Sequence, residues 1–329
     1  MALHTRLTEA LGIEHPIISA PMAFAAGGKL AAAVTAAGGL GLIGGGYGDA
    51  EWLEREFAEA GNARVGYGFI TWSLARRPEL LDLVLARLPA AVMLSFGSPL
   101  RFGKQVKAAG AKLICQVQTI EHARAALDVG ADVIVAQGAE AGGHGLVRAT
   151  FTLVPEIADH LAKVAPATLL VAAGGVADGR GLAAALMLGA DGALIGSRFW
   201  ASSEALVHRA FQNAALAADG DATIRTTVVD IVRKIDWPKP FTARVVKTNF
   251  VNDWYGRETG LAEPELLDRE MNRYVSAMQN GDPANTGVWV GEAAGLIHDV
   301  RPAADLVLGM VGDAERLLGA TASSFLRAP

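Results

Sequence analysis

Short, largely apolar runs alternate with amphipathic stretches along most of this chain. The runs cover residues 17–20, 40–43, 65–69, 91–95, 112–116, 133–136, 169–173 and 193–195. Between them lie helical patterns, among them 50–60, 78–88, 102–109, 120–129, 154–164 and 179–188. Strands that are apolar at nearly every position are buried on both faces, as in a parallel sheet covered by helices. Eight strand–helix units in about 200 residues predict an α/β fold of the (β/α)8 TIM barrel type. A doubly wound open sheet is the alternative architecture.

Three helix-to-strand joints repeat one phrase, Ala109-Gly110-Ala111, Val129-Gly130-Ala131 and Leu188-Gly189-Ala190. Each glycine is expected to stop its helix in the left-handed conformation. The uncharged segment between Lys29 and Asp49 is broken by glycines, so it reads as a helix over 30–37 and a strand over 40–43 rather than a membrane span. It also matches G-x-G-x-x-G at Gly39, Gly41 and Gly44. A dinucleotide fingerprint needs a strand before the glycines and a helix opening on them, and here a helix comes first.

After Arg198 the alternation ends. Residues 203–218 read as one more helix. Residues 219–280 gain charge and aromatics (Trp237, Phe241, Phe250, Trp254, Tyr255, Tyr274) and read as a smaller, mainly helical inserted domain over the active-site end. The aromatics could line a pocket mouth or pack that domain's own core, and the core is the favoured reading. Residues 306–317 read as a closing helix. The barrel would then comprise 1–218 and 281–329.

Composition narrows the function. The 329 residues are 51% hydrophobic and 19% charged, with a net charge of -5. No basic run is present, so neither nucleic acid nor a membrane is expected as a partner. The lone cysteine, Cys115, allows no internal disulfide and no CxxC site, which fits a cytoplasmic protein. The first ten residues do not read as a signal peptide. The seven histidines lack HExxH or similar spacing, so no metal is expected. A homo-oligomer is compatible with all of this.

The stretch 133–146 carries the chemistry: a buried strand runs into a glycine-rich turn with Glu140 and His144. A histidine just past a barrel strand sits on the face where barrel enzymes work, and Gly142 and Gly143 let the backbone approach a flat ligand. Gly174-Gly175 and Gly196-Ser197 follow the seventh and eighth expected strands, where barrels commonly bind phosphate. The ligand could be a phosphosugar or a flavin mononucleotide. Ala20-Pro21-Met22 ends the first strand with a rigid wall and a polarisable sulfur suited to an aromatic ring.

These elements together, Ala20-Pro21-Met22, Gly38-Gly39-Leu40-Gly41, Glu140-Ala141-Gly142-Gly143-His144, the segment AAGGVADGR at 172–180 and Gly196-Ser197-Arg198-Phe199, resemble the nitronate monooxygenase family, formerly 2-nitropropane dioxygenase. The resemblance covers nearly the whole chain. It implies an FMN-bound barrel enzyme that oxidises alkyl nitronates, with nitroalkanes as a further substrate class, using O2 and giving a carbonyl compound and nitrite. By motif, Met22 would line the flavin ring, Gln116 and Gln137 would face the ring or its ribityl chain, and Gly142 and Gly143 would let the loop approach. Gly174, Gly175, Gly196 and Ser197 would hold the phosphate, and His144 would be catalytic. Two other readings stay open: an NAD(P)H-dependent flavin reductase acting on an enoyl thioester or quinone, which the 38–46 glycine stretch also resembles, and a flavin-free barrel for a phosphorylated metabolite. The sequence departs from many relatives in lacking an asparagine near 66–69, in having Gln116 where some have lysine, and in having Gly145 after the histidine, with Arg148 further on as a surface residue.

Overall fold

The computed structural model describes residues 3–325. In chain order its strands are β1 Ile17–Ser19, β2 Leu42–Gly44, β3 Gly66–Ile70, β4 Ala91–Ser95, β5 Lys112–Val117, β6 Val133–Gln137, β7 Gly143–Gly145, β8 Leu169–Ala173, β9 Gly192–Ile195, β10 Thr223–Thr226 and β11 Thr242–Val246. All except β7, β10 and β11 form one parallel sheet in the order β1-β9-β8-β6-β5-β4-β3-β2. A bridge between Ile18 and Leu40 closes the ring: Ser19 N donates to Leu40 O at 3.0 Å and Leu40 N to Ile17 O at 2.9 Å. The fold is the expected (β/α)8 barrel.

Period-two alternation places the side chains. Val92 and Leu94 of β4, Leu113 and Cys115 of β5, and Ile134 and Ala136 of β6 pack outward under the helices. Their neighbours Met93, Ile114, Val133 and Val135 fill the barrel interior with Ile18, Leu42, Val171 and Leu194. Both faces are therefore apolar, which is why the strands carry few polar positions. Burial pushes the Cys115 thiol up to about 12. The helix Arg6–Leu11 plugs the bottom with Leu7 and Leu11. Arg6 fastens it by donating to both carboxylate oxygens of Asp191, each at 2.8 Å.

The helices begin where the sequence supplies caps. Asp49 accepts from Trp52 N at 3.0 Å to start Ala50–Ala60, and Asp178 accepts from the amides of Arg180 and Gly181 to start Gly179–Met187. The three glycine joints have φ of +80°, +74° and +94° at Gly110, Gly130 and Gly189, as the repeated phrase requires.

Two boundaries moved. The helix expected over 203–218 starts only at Arg209 and runs Arg209–Leu216. Before it the chain passes through a turn at Ser203–Glu204, with Ser203 N donating to Arg301 O and Leu206 N to Ala25 O, and the His208 ring accepts from Ala210 N as the cap. The closing helix is longer than expected, Ala303–Phe325, and packs on the helices Gly28–Ala36 and Gly179–Met187. The terminal residues 1–2 and 326–329 of the expected barrel segments lie outside the described residues.

Residues 219–280 carry the helices Val228–Val232, Asn249–Trp254, Glu258–Leu261 and Pro264–Gln279. They also carry β10 and β11, which join β7 in a three-stranded antiparallel sheet. Val229, Val245, Phe250 and Tyr274 belong to a separate cluster there. No described helix is long and apolar enough to cross a membrane.

Candidate active site

A cavity of about 480 Å³ opens at the C-terminal ends of the barrel strands. Ala20, Pro21, Met22, Gln116, Gln137, Gly142, Gly143, His144, Gly174, Gly175, Gly196 and Ser197, all singled out in the sequence, line it together. Arg148 does not; it pairs with Glu156 near the surface.

The two glutamines arrive there by parity. Gln116 continues the inward series of Ile114, and Gln137 that of Val133 and Val135. At the strand ends the inward positions become polar. Gln137 Oε1 accepts from Gln116 Nε2 at 3.0 Å and from Gln118 Nε2 at 2.8 Å, while its own Nε2 donates to His144 O at 3.2 Å. The Gln137 amide is thus held on both sides and braces β7 against the floor. Gln118, buried just past the end of β5, supports Gln137 from behind the cavity wall, and sequence reasoning missed it.

The 138–145 loop is fixed from above. Residues Thr242, Ala243 and Arg244 of β11 pair with Gly145, His144 and Gly143. Arg225 and Arg244 both donate to Ala139 O. Burial, then the neighbouring Arg244, brings the Arg225 guanidinium down to about 10. The Glu140 carboxylate lines the cavity and accepts from the amide and hydroxyl of Thr150 at 2.8–3.0 Å, which ties the loop to the start of the next helix. Gly142 has a packing reason too: a Cβ there would lie 2.6 Å from the Val290 carbonyl carbon.

His144 is 6% exposed. Its Nε2 lies 2.9 Å from Oδ2 of Asp230, itself 3% exposed, and Arg233 donates to the other carboxylate oxygen at 2.8 Å. Trp237 lies flat on the imidazole. Phe96 and Trp289 approach its edge at 6.2 and 5.7 Å. Burial lowers the His144 pKa below its ordinary value despite the opposing influence of Asp230. The aromatics of the inserted segment therefore divide. Phe250 and Tyr274 pack its core as expected, but Trp237 faces the cavity, where the imidazole gives it a flat partner. Asp230, Arg233 and Trp237 were missed as site residues. The one signal available was an acid inside the apolar run Val228-Val229-Asp230-Ile231-Val232, which needs a buried partner.

Glycine backbone forms part of the remaining wall. A Cβ at Gly143 would meet nothing within 4 Å, and one at Gly196 would meet only Ala20 Cβ at 3.6 Å and Met22 Sδ at 3.9 Å. Gly174 and Gly175 turn there with φ of +101° and +78°, a conformation other residues avoid. Ser197 Oγ accepts from Gly291 N at 2.9 Å, which leaves its own hydrogen to donate. Bare amides, a hydroxyl donor and a methionine beside flat walls fit a ligand that is planar at one end and anionic at the other. Among the described residues no cluster of His, Cys, Asp and Glu is arranged to hold a metal ion.

A cavity of this make-up at the C-terminal face of a barrel marks an enzyme, and comparison with known proteins makes it an oxidoreductase. The nitronate monooxygenase family model matches residues 4–65 and 71–313. A nitronate monooxygenase of Neurospora crassa is 32% identical, over 88% of this chain and 86% of its own length. Among solved structures, FabK from Thermotoga maritima superposes with a TM-score of 0.85 at 29% identity, covering 98% of this chain and 100% of that one. A nitroalkane oxidase from Streptomyces ansochromogenes gives 0.77 at 25% identity, with 95% and 99% covered. The chain belongs to the nitronate monooxygenase family.

Proposed function

We propose that the protein oxidises alkyl nitronates to a carbonyl compound and nitrite in the cytoplasm, using O2 and bound FMN. The observation that carries this reading is a buried histidine, paired with Asp230, on the same cavity as the glycine backbone of Gly174, Gly175 and Gly196. The family and the nitroalkane oxidase neighbour point the same way. In this reading Gly174, Gly175, Gly196 and Ser197 hold the phosphate. Ala20, Pro21 and Met22, with Gln116, Gln137 and the loop at Gly142 and Gly143, hold the ring and ribityl chain. The flavin would supply the electron chemistry. Residues 219–280 would form the cover that keeps water from the reacting end.

His144 has two tasks. From a neutral nitroalkane it removes the α-proton, for which a neutral imidazole is suited. A nitronate arrives already deprotonated, and His144 then orients the anion.

The deciding experiment is an absorbance spectrum of the purified protein, followed by anaerobic substrate addition. Yellow protein bleached by propyl-2-nitronate and not by NAD(P)H is the expected result. Bleaching by NAD(P)H alone would replace this reading with the reductase one, and protein that takes up no flavin would end both. His144→Ala should depress nitroalkane turnover far more than nitronate turnover; equal losses would remove the base role.

A further inference from the structure

Nothing in the family resemblance gave His144 a partner, yet its surroundings specify one atom by atom. Nε2 is engaged by Asp230 Oδ2 at 2.9 Å. Nδ1 makes no hydrogen bond among the described residues, and it is not one of the sealed, unpartnered polar atoms of the interior, so it opens onto the cavity that His144 lines. Trp237 holds the plane of the ring, and β11 pairing at Ala243 holds its backbone. Asp230 is equally fixed, because Arg233 occupies its Oδ1 and is itself tied to Val229 O at 2.7 Å.

We propose that Asp230 is the positioning residue for His144: it keeps the imidazole proton on Nε2 and so leaves the Nδ1 lone pair as the base that faces substrate. A carboxylate accepts and cannot donate, so the neutral ring must present N–H to it. In the proton-removal step, which rests on the function proposed above, the α C–H bond of a neutral nitroalkane breaks. Its electron pair remains on the substrate as nitronate, and the proton goes to Nδ1. The resulting imidazolium lies against Asp230, whose charge it partly balances together with Arg233. The charged groups acting on this ring are Asp230 and Arg233 from the helix Val228–Val232 and its end, and Arg225 from β10; Tyr47 lies one step further out, hydrogen-bonded to Trp237 and close to Arg233.

The test has two arms. Histidine ¹⁵N–¹H correlation spectra of the FMN-loaded protein show which nitrogen of neutral His144 carries the proton. Nε2 is the expected answer; a proton on Nδ1 overturns the proposal without any variant being made. The second arm is Asp230→Asn, whose amide can donate to Nε2 and so favours the other tautomer. Turnover of neutral nitroethane should fall by about 30- to 1000-fold, while ethylnitronate turnover changes by less than about threefold. The acidic limb of the nitroethane profile should move to lower pH, because the bond and charge that raise the His144 pKa are gone. Equal losses on both substrates, or an unmoved limb, would mean that Asp230 only supports the fold. If wild-type protein turned over neither substrate, the proposed function would fall, and the spectrum would still decide the tautomer.

Discussion

Trp237 stacks on His144 with ring centroids 3.4 Å apart and planes 9° from parallel. The indole also donates from Nε1 to the Tyr47 hydroxyl at 3.2 Å, so it is held from two sides. Its effect on the histidine is chiefly to exclude water. Desolvation is the largest influence on the His144 pKa and it is downward, because the charged ring loses more by burial than the neutral one. Trp237→Leu should therefore readmit water and let the pKa rise toward its ordinary value near 6.5. The acidic limb of nitroalkane turnover should move to higher pH, opposite in sign to the shift expected for Asp230→Asn. A limb that stays in place would show that water is kept out by other groups.

Phe96 and Phe24 both line the cavity and both hold a left-handed backbone, with φ of +59° and +58°. For a residue with a Cβ this costs about 1–2 kcal/mol, and such strain persists only where the surroundings determine it. The Phe96 ring touches Trp237 at 5.2 Å and Phe241 at 5.6 Å, so its placement is fixed by aromatic contacts on the site's wall. Glycine normally destabilises relative to alanine. Here the order should invert: Phe96→Gly should be more stable than Phe96→Ala by about 1 kcal/mol, since only glycine relieves the strain while both lose the ring. Urea unfolding of the two variants measures this directly. The usual order would mean that the left-handed backbone is not strained at this site.

The barrel was legible because its evidence is local. A strand buried on both faces must be apolar along its length, and a helix that ends in glycine at a joint says so within three residues. The same period-two rule carries Gln116 and Gln137 from the interior series to the cavity floor. Gln118, which sits beyond the end of β5 and is buried behind Gln137, is outside the reach of that rule. Asp230 was illegible for the opposite reason. It meets His144 across 86 residues of chain, through a segment whose helices and strands are short and show no long period. An acid inside Val228-Val229-Asp230-Ile231-Val232 tells that a partner exists, but the choice of His144 is made only when β11 pairs with β7. Trp237 was assigned to a core by the same lack of local information, since an aromatic in an apolar cluster and one on a cavity wall look alike in sequence.

The mouth of the cavity bears on substrate size. Three large apolar residues that line it remain well exposed: Phe24 at 47%, Leu206 at 47% and Met278 at 45%. Exposed apolar side chains scattered singly mean little, but these line one cavity together with Phe96, Trp237 and Trp289. The charged groups nearby are already engaged, Arg233 with Asp230 and Glu140 with Thr150. A substrate whose carbon chain reaches this rim would cover it, and each methylene removed from water contributes up to about 0.8 kcal/mol. Across primary nitronates of two to eight carbons, kcat/KM should rise by about two- to threefold per added methylene until the chain passes the rim. Met278→Ser and Leu206→Ser should flatten that slope, most strongly at the long end. A slope that is flat in the wild-type protein would show that substrate recognition ends at the reacting carbon and that the exposed rim serves something other than the substrate chain.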